Sequence, residues 1–173
     1  MELRFVQPSL RRLDLLVSEV IAVPIEEMVR PPRGSAGLLD YRLDGRISAV
    51  LENGTFRGAV GEKLLLSGKP KLPYDKLLLY GMGDAQSFNQ HIFAGLVEDL
   101  LESLADLGVR RAVVELPGRL QELIEPEVAA EILLTRAGEN PLFDTWTLVD
   151  SAAAQRVVTE LLRRDRRSEW RVS

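Results

Sequence analysis

The chain has 173 residues, 46% of them apolar, a formal charge of −4 and no cysteine. That length suits one buried core rather than two, and the acidic balance argues against a general nucleic-acid binder, which carries a basic field. The missing thiols remove disulfides, thiolate nucleophiles and thiolate metal sites together, and they fit a reducing cytoplasm.

Met1-Glu2-Leu3-Arg4-Phe5 has no basic stretch leading into an apolar one, and no apolar run approaches the ~20 residues of a membrane span. A soluble, cytoplasmic protein is therefore expected. Leu3 and Phe5 alternate ahead of Pro8-Ser9 and read as a short edge strand. Leu13 to Val17 and Val20 to Val23 form a nearly continuous aliphatic run, as in a strand buried on both faces, and Pro24 interrupts it. The stretch from Pro24 to Leu39 reads as irregular. Asp40 then caps a helix reaching Leu51, stopped by Asn53-Gly54. Lys63 to Leu66 and Lys76 to Tyr80 read as neighbouring strands. Ser87 opens the strongest helix, with Ile92, Leu96, Leu100, Leu104 and Leu107 on one face and Gly108 as its stop. Arg111 to Leu116 is a further strand, and Pro126 sits in the first turn of a helix carrying Val128, Ile132 and Leu133 inward. Thr145 to Val149 is the last strand. Asp150 or Ser151 caps a final helix with Val157, Val158, Leu161 and Leu162 toward the core.

Alternating strands and helices predict an α/β fold: a mixed, mostly parallel sheet covered by helices on both faces. The reading gives one domain over residues 1–165 and a frayed polar tail over 166–173.

Several strings come in a suggestive order. They are Leu13-Asp14-Leu15-Leu16-Val17; Leu43-Asp44-Gly45 with Ile47 and Leu51; Phe56-Arg57-Gly58 with Gly61-Glu62-Lys63; and Lys76-Leu77-Leu78-Leu79-Tyr80-Gly81-Met82-Gly83. The helix ending at Leu107-Gly108 and the strand from Arg111 follow in turn. This succession resembles the N-terminal, non-catalytic domain of the M17 leucyl aminopeptidases over roughly residues 1–150. The resemblance implies a macro-domain-like fold and, in whole enzymes, a part in assembling the hexamer. The family's peptidase chemistry lies in a C-terminal domain with an asparagine-threonine-aspartate-alanine-glutamate-glycine-arginine motif and further Asp and Lys metal ligands. No such string occurs here, so no catalytic residue, no metal ligand and no cofactor is expected.

Four groups of residues could carry function. Gly81, Met82, Gly83 and Asp84 follow a strand and precede a helix, where glycines and free amides can cradle a phosphate. A structural turn is the plainer reading of them. His91, the sole histidine, has no orienting partner in the sequence and reads as a surface residue. The carboxylates Glu26, Glu27, Glu98, Asp99, Glu102, Glu122, Glu125, Glu127 and Glu131 read mostly as solvated helix faces. Arg163, Arg164, Arg166 and Arg167 form the one basic cluster, suited to RNA or an acidic partner, or more plainly to a solvated helix C-terminus. Trp146 reads as core. The sequence thus favours an interaction or assembly module, by self-association or with a protein partner. The alternative is a binder of ADP-ribose or a related nucleotide at Gly81 to Asp84. Membrane and nucleic-acid partners are not expected.

Overall fold

The computed structural model describes residues 2–138 and 142–164, and the backbone of 171–172. Its strands are β1 (Glu2–Val6), β2 (Ser18–Glu26), β3 (Lys63–Ser67), β4 (Tyr74–Gly83), β5 (Arg111–Val114), β6 (Thr145–Val149) and β7 (Arg171–Val172). They form one sheet in the order β3-β4-β2-β5-β6-β1-β7. Among the described residues, only β3 is antiparallel to its neighbour. The sheet is therefore mixed and mostly parallel. The central strand β2 is buried from Val20 to Ile25, as burial on both faces of a parallel sheet requires.

The helices are α1 (Leu10–Asp14), α2 (Gly34–Arg42), α3 (Arg46–Glu52), α4 (Gln90–Asp106), α5 (Pro126–Ala137) and α6 (Ala152–Arg164). Those from α4 onward cover one face, where Phe93, Leu100, Leu104, Leu133 and Val158 close on Val20, Ala22, Ala112, Trp146 and Leu148. The first three cover the other, where Leu13, Leu39, Ile47 and Leu51 close on Ile21, Val23, Leu77 and Leu79. Trp146 is fully buried and meets Phe143 edge-on at 5.3 Å.

The structure departs from the sequence reading at several places. Leu10–Asp14 is a helix, because the Ser9 side chain accepts from the Arg12 amide; the aliphatic run splits into this helix and β2. Pro24 does not stop β2. The Ala22 carbonyl accepts from Glu115 on the β5 side, so Pro24, two residues on, turns its missing N–H to that same side, past the last β2–β5 pair at Ala22. The segment expected to be irregular holds the start of α2, and Asp40 lies inside a helix. Its carboxylate instead accepts from the Ser48 amide at 3.0 Å, tying α2 to α3. Asn89, not Ser87, caps α4, by accepting from Ile92 at 2.9 Å; Ala85–Ser87 form a separate 3-10 turn. β1 is interior, paired to β6 along its length and to β7 at Glu2 and Leu3. The polar-tail reading did not foresee that last pairing.

Candidate functional site

The five strands β1, β2, β4, β5 and β6 point the same way, so their carboxyl ends share one rim. In open α/β sheets that rim is where ligands sit. Glu26 ends β2, Gly83 ends β4, Glu115 follows β5, and Asp150 follows β6.

Glu115 is 3% exposed. Its Oε2 accepts from the Ser35 amide at 2.9 Å and from the Ser35 hydroxyl. Ser35 is the second residue of α2, whose first amides have no partners inside the helix. The chain's own carboxylate thus occupies the position where a helix N-terminus would receive an anion. Burial, chiefly, pushes the Glu115 carboxyl above its ordinary range; the Asp150 charge adds to this and the two Ser35 hydrogen bonds oppose it. The buried Tyr80 hydroxyl donates to the Glu115 carbonyl, and desolvation holds that phenol well above its ordinary value.

Arg119 reaches back from the loop after β5. Its Nε and Nη2 donate to the two Asp150 carboxylate oxygens at 2.8 and 3.2 Å, while Nη1 donates to the Ile124 carbonyl at 2.6 Å. Gln121 donates to Glu26 at 3.0 Å, and its own Oε1 is buried without a partner among the described residues. These contacts fold the loop over the rim and leave two small cavities. One, of about 130 Å3, is lined by Glu115, Arg119, Leu120, Glu122, Val149 and Asp150 with Pro8 and Ser151. The other, of about 10 Å3, lies toward Pro24, Arg33 and Gln121. Glu115 and Leu120 line both, so these two side chains are the wall between them.

Gly81, Met82 and Gly83 are buried at the end of β4. The Gly81 amide donates to the Glu62 carbonyl and the Gly83 amide to Gly58, both at 2.9 Å. A Cβ on Gly81 would lie 1.9 Å from the Ala59 carbonyl oxygen. These glycines let the loop over 58–62 close on the strand, and the two amides are already engaged. The Asp84 side chain caps the following 3-10 turn through Gln86. His91 is exposed on α4, and Asp99 pairs with Lys63 at 2.6 Å. Arg163 and Arg164 lie exposed at the end of α6, with Arg164 on Glu160 at 3.0 Å. Arg166 and Arg167 lie outside the described residues. Sequence reasoning passed over Glu115, Arg119 and Gln121, and read Asp150 only as a candidate helix cap. The usable signal was a charged residue directly after an apolar strand, which occurs at Glu115 and again at Asp150.

Sheet order and two-sided helical cover define a macrodomain-like α/β protein. A Trypanosoma brucei macrodomain solved in complex with ADP-ribose superposes with a TM-score of 0.69, covering 92% of this chain and 68% of that one at 15% identity. A mutant of tomato leucine aminopeptidase does so with a TM-score of 0.65, covering 92% of this chain and 35% of that one at 14% identity. The family model for the N-terminal domain of the cytosol aminopeptidase family matches residues 22–136, and the chain belongs to that family. A probable cytosol aminopeptidase of Pseudomonas syringae pv. tomato is 33% identical over 103 residues, which is 60% of this chain and 21% of that protein. The chain thus matches about a fifth of that relative's length. Among the described residues no helix is long and apolar enough to cross a membrane.

Proposed function

We propose that this domain is a non-catalytic module that works by protein contact, associating with a second copy of itself. The observation that carries this reading is a group of large apolar side chains left in water: Leu15 is 76% exposed, Val17 81% and Tyr41 75%. The ion pair between Asp14 and Arg42, neighbours in sequence of Leu15 and Tyr41, holds α1 against α2. Large apolar side chains left this exposed are what an association surface draws on. It agrees with the assembly role implied by the family resemblance. On this reading Arg163, Arg164, Arg166 and Arg167 supply cations for an acidic stretch of the partner. Sedimentation velocity of the chain and of its Leu15→Glu, Tyr41→Glu variant is the test. Concentration-dependent association of the parent, lost in the variant, is expected. Unchanged behaviour of the variant would remove this surface from the account.

Kinship with a macrodomain solved in complex with ADP-ribose supports a second reading, a nucleotide ligand at the strand ends near Gly81 to Asp84. Nucleotide-sized ligands need pockets of roughly 300 Å3 or more. The larger rim cavity here is about 130 Å3 and bordered by carboxylates, which favours the contact module.

A further inference from the structure

We infer that the second copy docks by laying the ridge of residues 14–19 of each chain into an open cleft on the sheet of the other. This contact rests on the association through Leu15 and Val17 proposed above and names the surface that receives them. Parallel strands are normally covered on both faces. On the face closed by α1–α3, the strands β1 and β6 give only their last residues, Val6 and Val149, to the packed core. Register sets Arg4 beside Thr147 and Glu2 beside Thr145 on that same face, nearer the amino ends of the strands. Among the described residues, a cleft of about 380 Å3 lies there, where a covering helix would sit. It is bordered by Arg4, Arg111, Thr145, Thr147, Leu16 and Val17. Thr147 is only 8% exposed, so the floor of the cleft is already sheltered from water.

The chain itself carries what fits this cleft. Between α1 and β2, Leu16 packs against the core and leaves Leu15 and Val17 in water. Carboxylates bracket these two side chains, Asp14 before them and Glu19 after. Guanidiniums border the cleft, those of Arg4 and Arg111. A ridge from a second copy therefore brings aliphatic groups to an unfilled hollow and negative charge to positive. Asp14 and Glu19 stay part-exposed beside Arg42 and Arg111, their partners within the chain, so a second cation can reach them. At ~30 Å3 for each water-sized group the cleft holds about a dozen, room enough for the side chains of one leucine and one valine. Leu16 and Val17 also wall the chain's own cleft, so ridge and cleft lie side by side. That adjacency selects a second copy as the occupant. One two-fold axis seats both ridges in both clefts together, whereas an unrelated partner leaves the ridge or the cleft unmatched.

The chain has no cysteine, so single-cysteine variants report contacts between copies cleanly. Val17→Cys and Thr145→Cys, made in separate chains, mixed and oxidised, should form a disulfide between the two variants. Thr145→Trp fills the cleft at a part-exposed position and leaves Leu15, Val17 and Tyr41 in place. It should raise the dissociation constant of the dimer about tenfold or more, read by sedimentation velocity. Arg4→Glu should weaken association at low salt and do so less at high salt. If Thr145→Trp fails to fold, the disulfide and Arg4→Glu still decide. Association that is lost in the Leu15→Glu, Tyr41→Glu variant, yet unchanged by Thr145→Trp and Arg4→Glu and without the mixed disulfide, would overturn the cleft and leave the role of those apolar side chains standing. A parent chain that stays monomeric at every concentration would overturn both.

Discussion

Replacing Arg119 by methionine is expected to lower the free energy of unfolding by about 3–5 kcal/mol, read from urea denaturation monitored by tryptophan fluorescence. The side chains of Arg119 and Asp150 are 9% and 15% exposed, and their contact is bidentate. Methionine keeps most of the aliphatic volume but abandons the Asp150 carboxylate in a poorly solvated place, and it also strips the Ile124 carbonyl of its donor. The double variant Arg119→Met, Asp150→Leu removes the stranded charge and should recover much of the loss, because a buried ion pair and a well-packed apolar pair are often close in free energy. If Arg119→Met costs less than about 1 kcal/mol, the loop after β5 is not held by this pair and the closed rim loses its main support.

Gly81→Ala should cost about 3 kcal/mol in the same assay, although it adds a single methyl group. That methyl would lie 1.9 Å from the Ala59 carbonyl oxygen and 2.6 Å from the Gly58 carbonyl oxygen, both fixed backbone atoms. Neither can retreat without breaking the Gly81–Glu62 and Gly83–Gly58 hydrogen bonds that seat the loop on β4. Gly95→Ala is the matched control. Gly95 lies exposed within α4 with nothing within 4 Å of its added Cβ, so alanine there should stabilise the helix by about 0.5–1 kcal/mol. A mild effect at Gly81 would mean that the loop yields and the β4 end is more open than described.

The sequence made the long-range architecture readable wherever periodicity was strong. The stripe on α4, the buried aliphatic strands β2, β4 and β6, and the Pro126 start of α5 all follow from hydrophobic spacing and helix-end chemistry. Short elements were less readable. Leu10–Asp14 is too short to show a helical period, and only the Ser9 cap distinguishes it from the strand that follows. Pro24 appeared as a break because the rule against proline in central strands assumes a partner on both sides, and β5 stops too early to need that N–H. The rim was least legible. Glu115 meets Ser35 across eighty residues of sequence, and Arg119 meets Asp150 across thirty-one. No local pattern encodes such pairings. Gly81 and Gly83 were seen as special, but a glycine required by close backbone packing and one required by a phosphate look identical in a sequence.

The rim at the carboxyl ends of the strands is closed by the chain itself. Glu115 sits on the α2 N-terminus, Leu120 and the Arg119–Asp150 pair hold the loop down, and the Gly81 and Gly83 amides are engaged within the chain. A nucleotide would have to displace a buried carboxylate and bring its own negative charge against Glu26, Glu122 and Asp150. The most direct measurement is a thermal-shift titration of the chain with ADP-ribose. The melting temperature is expected not to move with ligand concentration. A saturable rise, growing toward the ~2.7 kcal/mol expected at a hundredfold excess over the dissociation constant, would contradict it and place a nucleotide in the crevice.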